Sequence, residues 1–215
     1  MHLFLNYQKQ SNSVNLVNLI NLLNVPKIGQ QRVRLLMSQL GENANPFELS
    51  IKEICSVKGL DKQSAESIIR YSDFEYGIKE YESSLKKGIN LVSFWDDNFP
   101  MLLKKIYNPP LILYCKGQPL IHREDAVAIV GTRLFTPYGK IVTQKLALEL
   151  NQSNISIVSG LARGIDTIAH RETVNFGGRT IAVLGSGLDV IYPNDNIKLA
   201  NDICEKGTLI SEFPL

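Results

Sequence analysis

Residues 127–140, VAIVGTRLFTPYGK, decide how this chain is read. Val127 to Val130 form an apolar run of the buried-strand type, and Gly131 ends it. A loop with Thr132, Arg133 and Thr136 follows, and Pro137 opens a helix that carries Tyr138, Gly139 and Lys140. Strand, glycine turn and helix in that order begin a nucleotide-binding βαβ unit. The loop is not GxGxxG, however, and no GxxxxGK[ST] follows any strand, so neither the dinucleotide nor the P-loop fingerprint is present.

The same alternation continues to the end of the chain. Residues 155–160 (ISIVSG), 179–187 (RTIAVLGSG) and 208–213 (TLISEF) read as strands, with helical stretches over 138–152, 166–178 and 194–207. Short loops between alternating strands and helices predict a Rossmann-like parallel sheet with helices on both faces, over residues 88–215 including an extended lead-in. Ligands of such sheets sit at the carboxyl ends of the strands. Three loops reach that edge: 131–140, 159–166 (SGLARGID) and 185–195 (GSGLDVIYPND). Glycines and helix starts there expose backbone amides to an anion. The expected phosphate-binding residues are Gly131, Thr132, Arg133, Thr136, Tyr138, Gly139, Lys140, Ser159, Gly160, Arg163, Gly164, Arg179 and Gly185. A nicotinamide cofactor is disfavoured, because Ser159 and Gly160 end the second strand where an acid would grip a ribose. Asp166 and His170, four residues apart on a helix, form a possible catalytic pair, but a helix cap and a local hydrogen bond are the expected roles. No catalytic residue, cofactor or metal is assigned.

Residues 1–87 read as a small helical domain. LVNLINLLNV has helical apolar spacing, and VPKIGQQRVRLLMSQLG (25–41) resembles VKGLDKQSAESIIRYSD (57–73), with Val25 against Val57, Ile28 against Leu60, Val33 against Ala65 and Leu36 against Ile68. This is a tandem helix-hairpin-helix, or SAM-like, pattern. Such units hold nucleic-acid backbones through glycine turns, but each copy has one glycine, Gly29 or Gly59, so a packing module is expected. Between the domains, Trp95 and Phe99 are expected to pack, and Asp96 and Asp97 to lie in a solvated turn.

Composition narrows the classes further. The 23 basic and 21 acidic side chains leave a net charge of +2, so phosphate binding must come from local clustering. No apolar run reaches membrane-spanning length, and residues 1–16 lack the features of a signal peptide. Cys55, Cys115 and Cys204 are far apart, which predicts a reducing, cytoplasmic setting and buried, unpaired thiols.

The ordered motifs VAIVGTRLFTPYGK, SIVSGLARGIDTIAH, GGRTIAVLGSGLDVIYPNDN and LISEFP, with the lead-in NFPMLLKKIYNPPLILYCKG, resemble the DNA-processing protein A family (DprA, also called Smf) over residues 15–215. The resemblance implies a single-stranded DNA-binding protein, not an enzyme, that protects incoming strands in natural transformation and helps load the RecA recombinase. It places Arg133 and Arg179 at DNA-contacting positions and the glycines of GTR and SGLARG in phosphate-cradling loops. It also implies a domain continuing past Leu215, so the pocket and any homodimer surface are expected to be incomplete in a C-terminally truncated chain. The rival reading is a nucleotide-binding or nucleotide-hydrolysing enzyme of the phosphoribohydrolase-like group, whose PGGxGTxxE-type motif is not found here. A third is an interaction module that binds protein through the helical domain.

Overall fold

A computed structural model describes residues 15–41 and 44–215, so the N-terminal stretch without signal-peptide features lies largely outside the described residues. The chain divides into two compact units. The first holds the described residues up to Glu82 together with 93–96 and 107–111, and the second holds 83–92, 97–106 and 112–215.

In the first unit, helices α1 (Leu16–Asn24), α2 (Gln30–Leu40), α3 (Ile51–Ser56), α4 (Lys62–Ile69) and the start of α5 (Phe74–Lys86) bury the periodic apolar positions. All four residue pairs of the internal repeat are buried in both copies. The turns match bond for bond: Val25 N–H donates to Leu22 O and Ile28 N–H to Val25 O, as Val57 N–H does to Ile54 O and Leu60 N–H to Val57 O. Each turn needs one left-handed residue. Gly59 supplies it at φ +99°, and Lys27 takes the same place at φ +67°. Gly29 aligns instead with Asp61, and these two are the N-caps of α2 and α4. Arg32 joins the copies, donating to Ser64 Oγ at 2.9 Å and pairing with Asp61 at 3.4 Å. The buried Asn21 fastens α5 to α1 by accepting from Gly77 N–H at 2.8 Å and donating to Phe74 O at 3.2 Å.

The second unit is built on a six-stranded sheet in the order β1-β2-β6-β5-β4-β3. The strands are β1 (Asn90–Ser93), β2 (Ile112–Gly117), β3 (Ala126–Ala128), β4 (Ser156–Ser159), β5 (Thr180–Leu184) and β6 (Thr208–Ser211). The short α6 (Met101–Lys104) precedes β2, and α7 (Pro137–Gln152), α8 (Ile165–Asn175) and α9 (Ile197–Lys206) alternate with the last four strands.

The α/β architecture is the expected one, with two refinements. First, β3 to β6 are parallel, but β2 runs antiparallel to β6. Second, β3, β4, β5 and β6 are laid down in sequence order, and right-handed crossovers that all step the same way put α7, α8 and α9 on one face instead of both. The core forms under those helices, where Ala147, Ile157 and Ala169 are fully buried. On the other face Val183 is 43% exposed.

The lead-in residues divide as expected. Phe99 is fully buried. Asp96 closes a local turn by accepting from Ser93 N–H at 2.8 Å. Among the cysteines, Cys115 is buried and Cys204 half-buried, but Cys55 is exposed on the short α3, whose buried face is carried by Ile54. Burial pushes the Cys115 thiol up to about 12, so it is an inert thiol at neutral pH.

Candidate nucleic-acid interface

The three predicted loops meet at the carboxyl edge of β3, β4 and β5. Their closest approach depends on Gly164, which has φ +91°. A Cβ there would lie 2.2 Å from Thr132 O and 2.7 Å from the Cα of Arg133. The missing side chain lets the second loop lie against the backbone of the first, and Ile165 N–H donates to Thr132 O at 3.2 Å across that contact.

Two of the amides at this edge are already taken by an internal acceptor. Asp166, in the first turn of α8 and 6% exposed, accepts from Gly160 N–H at 3.0 Å and from Gly131 N–H at 3.4 Å. Its carboxylate occupies the place that the sequence reading assigned to a phosphate. Most of the loop hydroxyls are also committed. Thr136 caps α7 through Gly139 N–H, Ser159 donates to Ile129 O at 2.6 Å, Thr132 bonds the backbone of Leu134, and Ser186 donates to Val190 O at 2.8 Å. Thr136, Ser159, Gly131, Gly139 and Gly164 therefore shape the loops.

What remains exposed is side-chain charge. A pocket of about 440 Å³ opens at this edge, and Arg133, Gly160, Arg163 and Gly185 of the expected set line it. Ala162 and Leu184 give it an apolar floor, and Ser186 and Tyr192 complete the lining. No carboxylate pairs with Arg133 among the described residues. Arg163 pairs with Asp195 at 3.0 Å, and both side chains are largely exposed. Such an exposed pair contributes little and yields readily to a competing phosphate. Tyr138 and Lys140 are exposed on the first turn of α7 but do not line the pocket.

Arg179 requires a correction. The sequence motif groups it with the loops, but it precedes β5, so it stands at the opposite edge of a parallel sheet from Arg133. There it pairs with Glu124 and donates to Pro119 O at 2.8 Å and to Thr208 Oγ1 at 3.2 Å. The pair is 19% and 11% exposed. A wider depression of about 820 Å³ lies beside it, lined by Arg123 and Arg179 and by Glu124 and Asp125, and Glu124 pairs with Arg179. Removing one partner of such a pair leaves an uncompensated charge. Arg179→Ala is expected to destabilise the fold by about 3 kcal/mol in urea unfolding while leaving single-stranded DNA affinity within twofold of wild type.

His170 is fully buried on α8. Thr180 uses its hydroxyl proton on Ile157 O at 2.7 Å, so the ring Nδ1–H must donate to Thr180 Oγ1 at 2.8 Å. Burial pushes the imidazole from its ordinary 6.5 down to about 4, against the pull of the Asp166 charge. A histidine whose folded pKa lies below the unfolded one contributes stability that is whole above pH 6.5 and is lost as pH falls toward 4. Between pH 7.5 and 4.5 the wild type is expected to lose roughly 2–3 kcal/mol more than His170→Gln in urea unfolding. Equal losses would contradict a neutral, buried imidazole. The Asp166–His170 pair thus serves as an amide cap and a core hydrogen bond.

Two residues escaped the sequence reading. Tyr192 lies eight residues past the end of β5, in a loop without periodicity, and its one signal was an aromatic beside proline at a strand's carboxyl edge. Asp195 gave no signal as the partner of Arg163, since 32 residues separate them.

These features define a Rossmann-like α/β domain with a two-arginine pocket and no dinucleotide loop. Residues 90–215, more than half of the chain, match the family model described as DNA recombination-mediator protein A, and the chain belongs to that family. Protein Smf of Synechocystis is 40% identical over 164 residues, which cover 74% of this chain and 41% of the relative. The DNA processing protein DprA of Streptococcus pneumoniae is 35% identical over 184 residues, covering 86% and 62%. Its X-ray structure superposes with a TM-score of 0.75 at 27% identity, over 94% of this chain and 69% of that one. A structure of DprA from Helicobacter pylori, described as showing a single-stranded DNA binding mode, matches with a TM-score of 0.50 at 36% identity, over 57% and 55%. The chain spans about two-fifths to three-fifths of the length of these curated relatives.

Proposed function

We propose that this chain binds single-stranded DNA as a DNA-processing protein of the DprA type, in the cytoplasm and without catalysing a reaction. Residues 1–87 form its helical domain and 88–215 its DNA-binding domain. The observation that carries this reading is the pocket itself: two arginines face solvent at the strand ends, while an internal carboxylate already takes the Gly131 and Gly160 amides. Guanidinium groups on an exposed rim suit a passing phosphodiester backbone, which they hold by charge and forked hydrogen bonds. A buried, fully enclosing seat for a mononucleotide would look different, and the rival hydrolase reading lacks an accessible acid–base pair, since Asp166 and His170 are both buried.

The likeness to a relative described by its single-stranded DNA binding mode supports the same substrate. The proposed biological role is protection of incoming strands in natural transformation and their transfer to RecA. With few contacts per copy, tight binding requires several copies on one strand, and a homodimer is part of the proposal. Among the described residues no helix is long and apolar enough to cross a membrane.

Fluorescence anisotropy with labelled oligo-dT and duplex DNA at two salt concentrations tests the reading. Wild type is expected to prefer oligo-dT. Arg133→Ala is expected to bind it about tenfold more weakly, with a salt slope reduced by about 0.7, the share of one single-strand phosphate contact. Unchanged affinity in that variant would remove the pocket from the DNA site.

A further inference from the structure

We infer that the open edge of β3, with the flank of α7 beside it, joins two copies of this chain, the two β3 strands pairing antiparallel across a twofold axis near Ala128. This gives the proposed homodimer its contact surface and rests on that reading.

The backbone of β3 supplies half of the surface. β3 ends the sheet, and β4 is its one neighbour among the described residues. Ser156 N–H donates to Asp125 O at 2.9 Å and Ile129 N–H to Val158 O at 3.0 Å, so residues 125 and 129 turn their backbone groups toward β4. The alternate residues Ala126, Ala128 and Val130 turn theirs outward, where no strand of the sheet meets them. Open edges are ordinarily guarded by lysine, proline, a bulge or a covering segment. Residues 126–130, AVAIV, hold no charge and no proline, and Ala126 and Ala128 are exposed.

α7 supplies the other half. Gln144 and Asn151 bond to α8, through Glu172 Oε1 at 2.8 Å and Thr173 O at 3.4 Å. Val142 and Leu146 each lie two residues from Gln144, so they occupy the flank turned away from α8. α8 packs on β4 and β5, which puts that flank on the β3 side. Leu146 is 45% exposed, Tyr138 76%, Val127 41% and Val130 72%. Gly131 and Gly139 both lie against the Ile165 side chain, so the end of β3 is level with the first turn of α7. At ~3.3 Å per strand residue and ~1.5 Å per helical residue, Leu146 is then about level with Ala128. One axis therefore pairs the strand edges and sets the two α7 flanks against each other.

The partner that fits is a second copy. Each outward residue of the edge offers one N–H and one C=O, and an identical antiparallel edge satisfies both. The axis brings Leu146 toward Leu146, an apolar centre with Lys145 and Glu149 on its polar rim. Lys145 and Glu149 pair at 3.8 Å, so this stretch of α7 has no surplus positive charge for a nucleic-acid backbone. The exposed side chains and strand edge amount to roughly 600 Å² per copy, so a dimer buries about 1,200 Å², the lower end of specific stable interfaces.

Sedimentation velocity of the whole chain at rising micromolar concentration, without DNA, tests this inference, and hydrogen exchange gives a second readout. Wild type is expected to sediment as a dimer, with the Ala126 and Ala128 amides gaining protection as the dimer forms. Ala128→Pro removes an outward N–H and no bond to β4, and Leu146→Lys places a charge at the centre of the flank. Each is expected to raise the dimer dissociation constant about tenfold or more. Both are expected to keep the wild-type circular dichroism and to bind a short oligo-dT within twofold of wild type, since neither residue lines the pocket. A dimer that neither substitution weakens, without added protection at the two amides, overturns the inference and leaves the homodimer reading standing. A wild type that stays monomeric throughout, its flank bare or taken by another polypeptide, overturns both.

Discussion

Asp166→Ala is expected to lower the stability of the chain by about 4 kcal/mol in urea unfolding at pH 7. The carboxylate is 6% exposed and accepts the Gly160 amide at 3.0 Å and the Gly131 amide at 3.4 Å. Hydrogen bonds to a charged acceptor are each worth about 1.5–3 kcal/mol, and alanine leaves both donors without it. Asp166→Asn keeps one acceptor oxygen and should fall between the two. Alanine also opens a small anion site framed by two amides. Sulfate or inorganic phosphate should therefore stabilise Asp166→Ala more than wild type. A loss below about 1 kcal/mol with no differential rescue would mean that the carboxylate does not hold the loops.

Gly164→Ala is expected to reduce stability and DNA binding together. At φ +91° an L-residue is strained by about 1–3 kcal/mol. The new Cβ would also meet Thr132 O at 2.2 Å, a backbone atom that cannot rotate aside. Displacing that backbone adds an overpacking cost of about 1–3 kcal/mol, for a total of about 4 kcal/mol. The first loop must move, and Arg133 moves with it. Oligo-dT affinity should fall at least as far as in Arg133→Ala, under conditions where circular dichroism shows the variant folded. Wild-type affinity in a folded Gly164→Ala protein would show that the contact between the loops does not position Arg133.

Much of the fold could be read from local chemistry. The apolar runs that became β3 to β6 are bounded by glycines, and the helical periods between them have caps that the sequence displays, such as Thr136 before Pro137. The paired positions of the helical repeat were legible because burial recurs at the same spacing in both copies. Strand order was not legible, because no local signal says whether successive crossovers step the same way, and that order decides which face the helices cover.

The site was legible as a place more than as a list. The three loops converge because strand polarity brings every strand's carboxyl end to one edge. Arg179 was misplaced for the same physical reason: a residue before a parallel strand lies at the far edge, however close its glycines make it look to a loop. The cradle of the Gly131 and Gly160 amides was also overread as open. The acid that fills it, Asp166, sits six residues after Gly160 and was visible in the sequence, but only the fold shows its side chain turned back onto two loops. Asp195 and Tyr192 depend on contacts across the pocket mouth, which sequence spacing does not encode.

Photo-crosslinking tests the central claim most directly. Bound oligonucleotide carrying 5-iododeoxyuridine would be irradiated on the wild-type chain, and the adducts mapped by mass spectrometry. The account predicts adducts on peptides from residues 131–140, 159–166 and 185–195, with Tyr192 prominent, and their loss in Arg133→Ala. Adducts confined to the edge around Arg123, Phe176 and Arg179, or to the helical repeat, would contradict it.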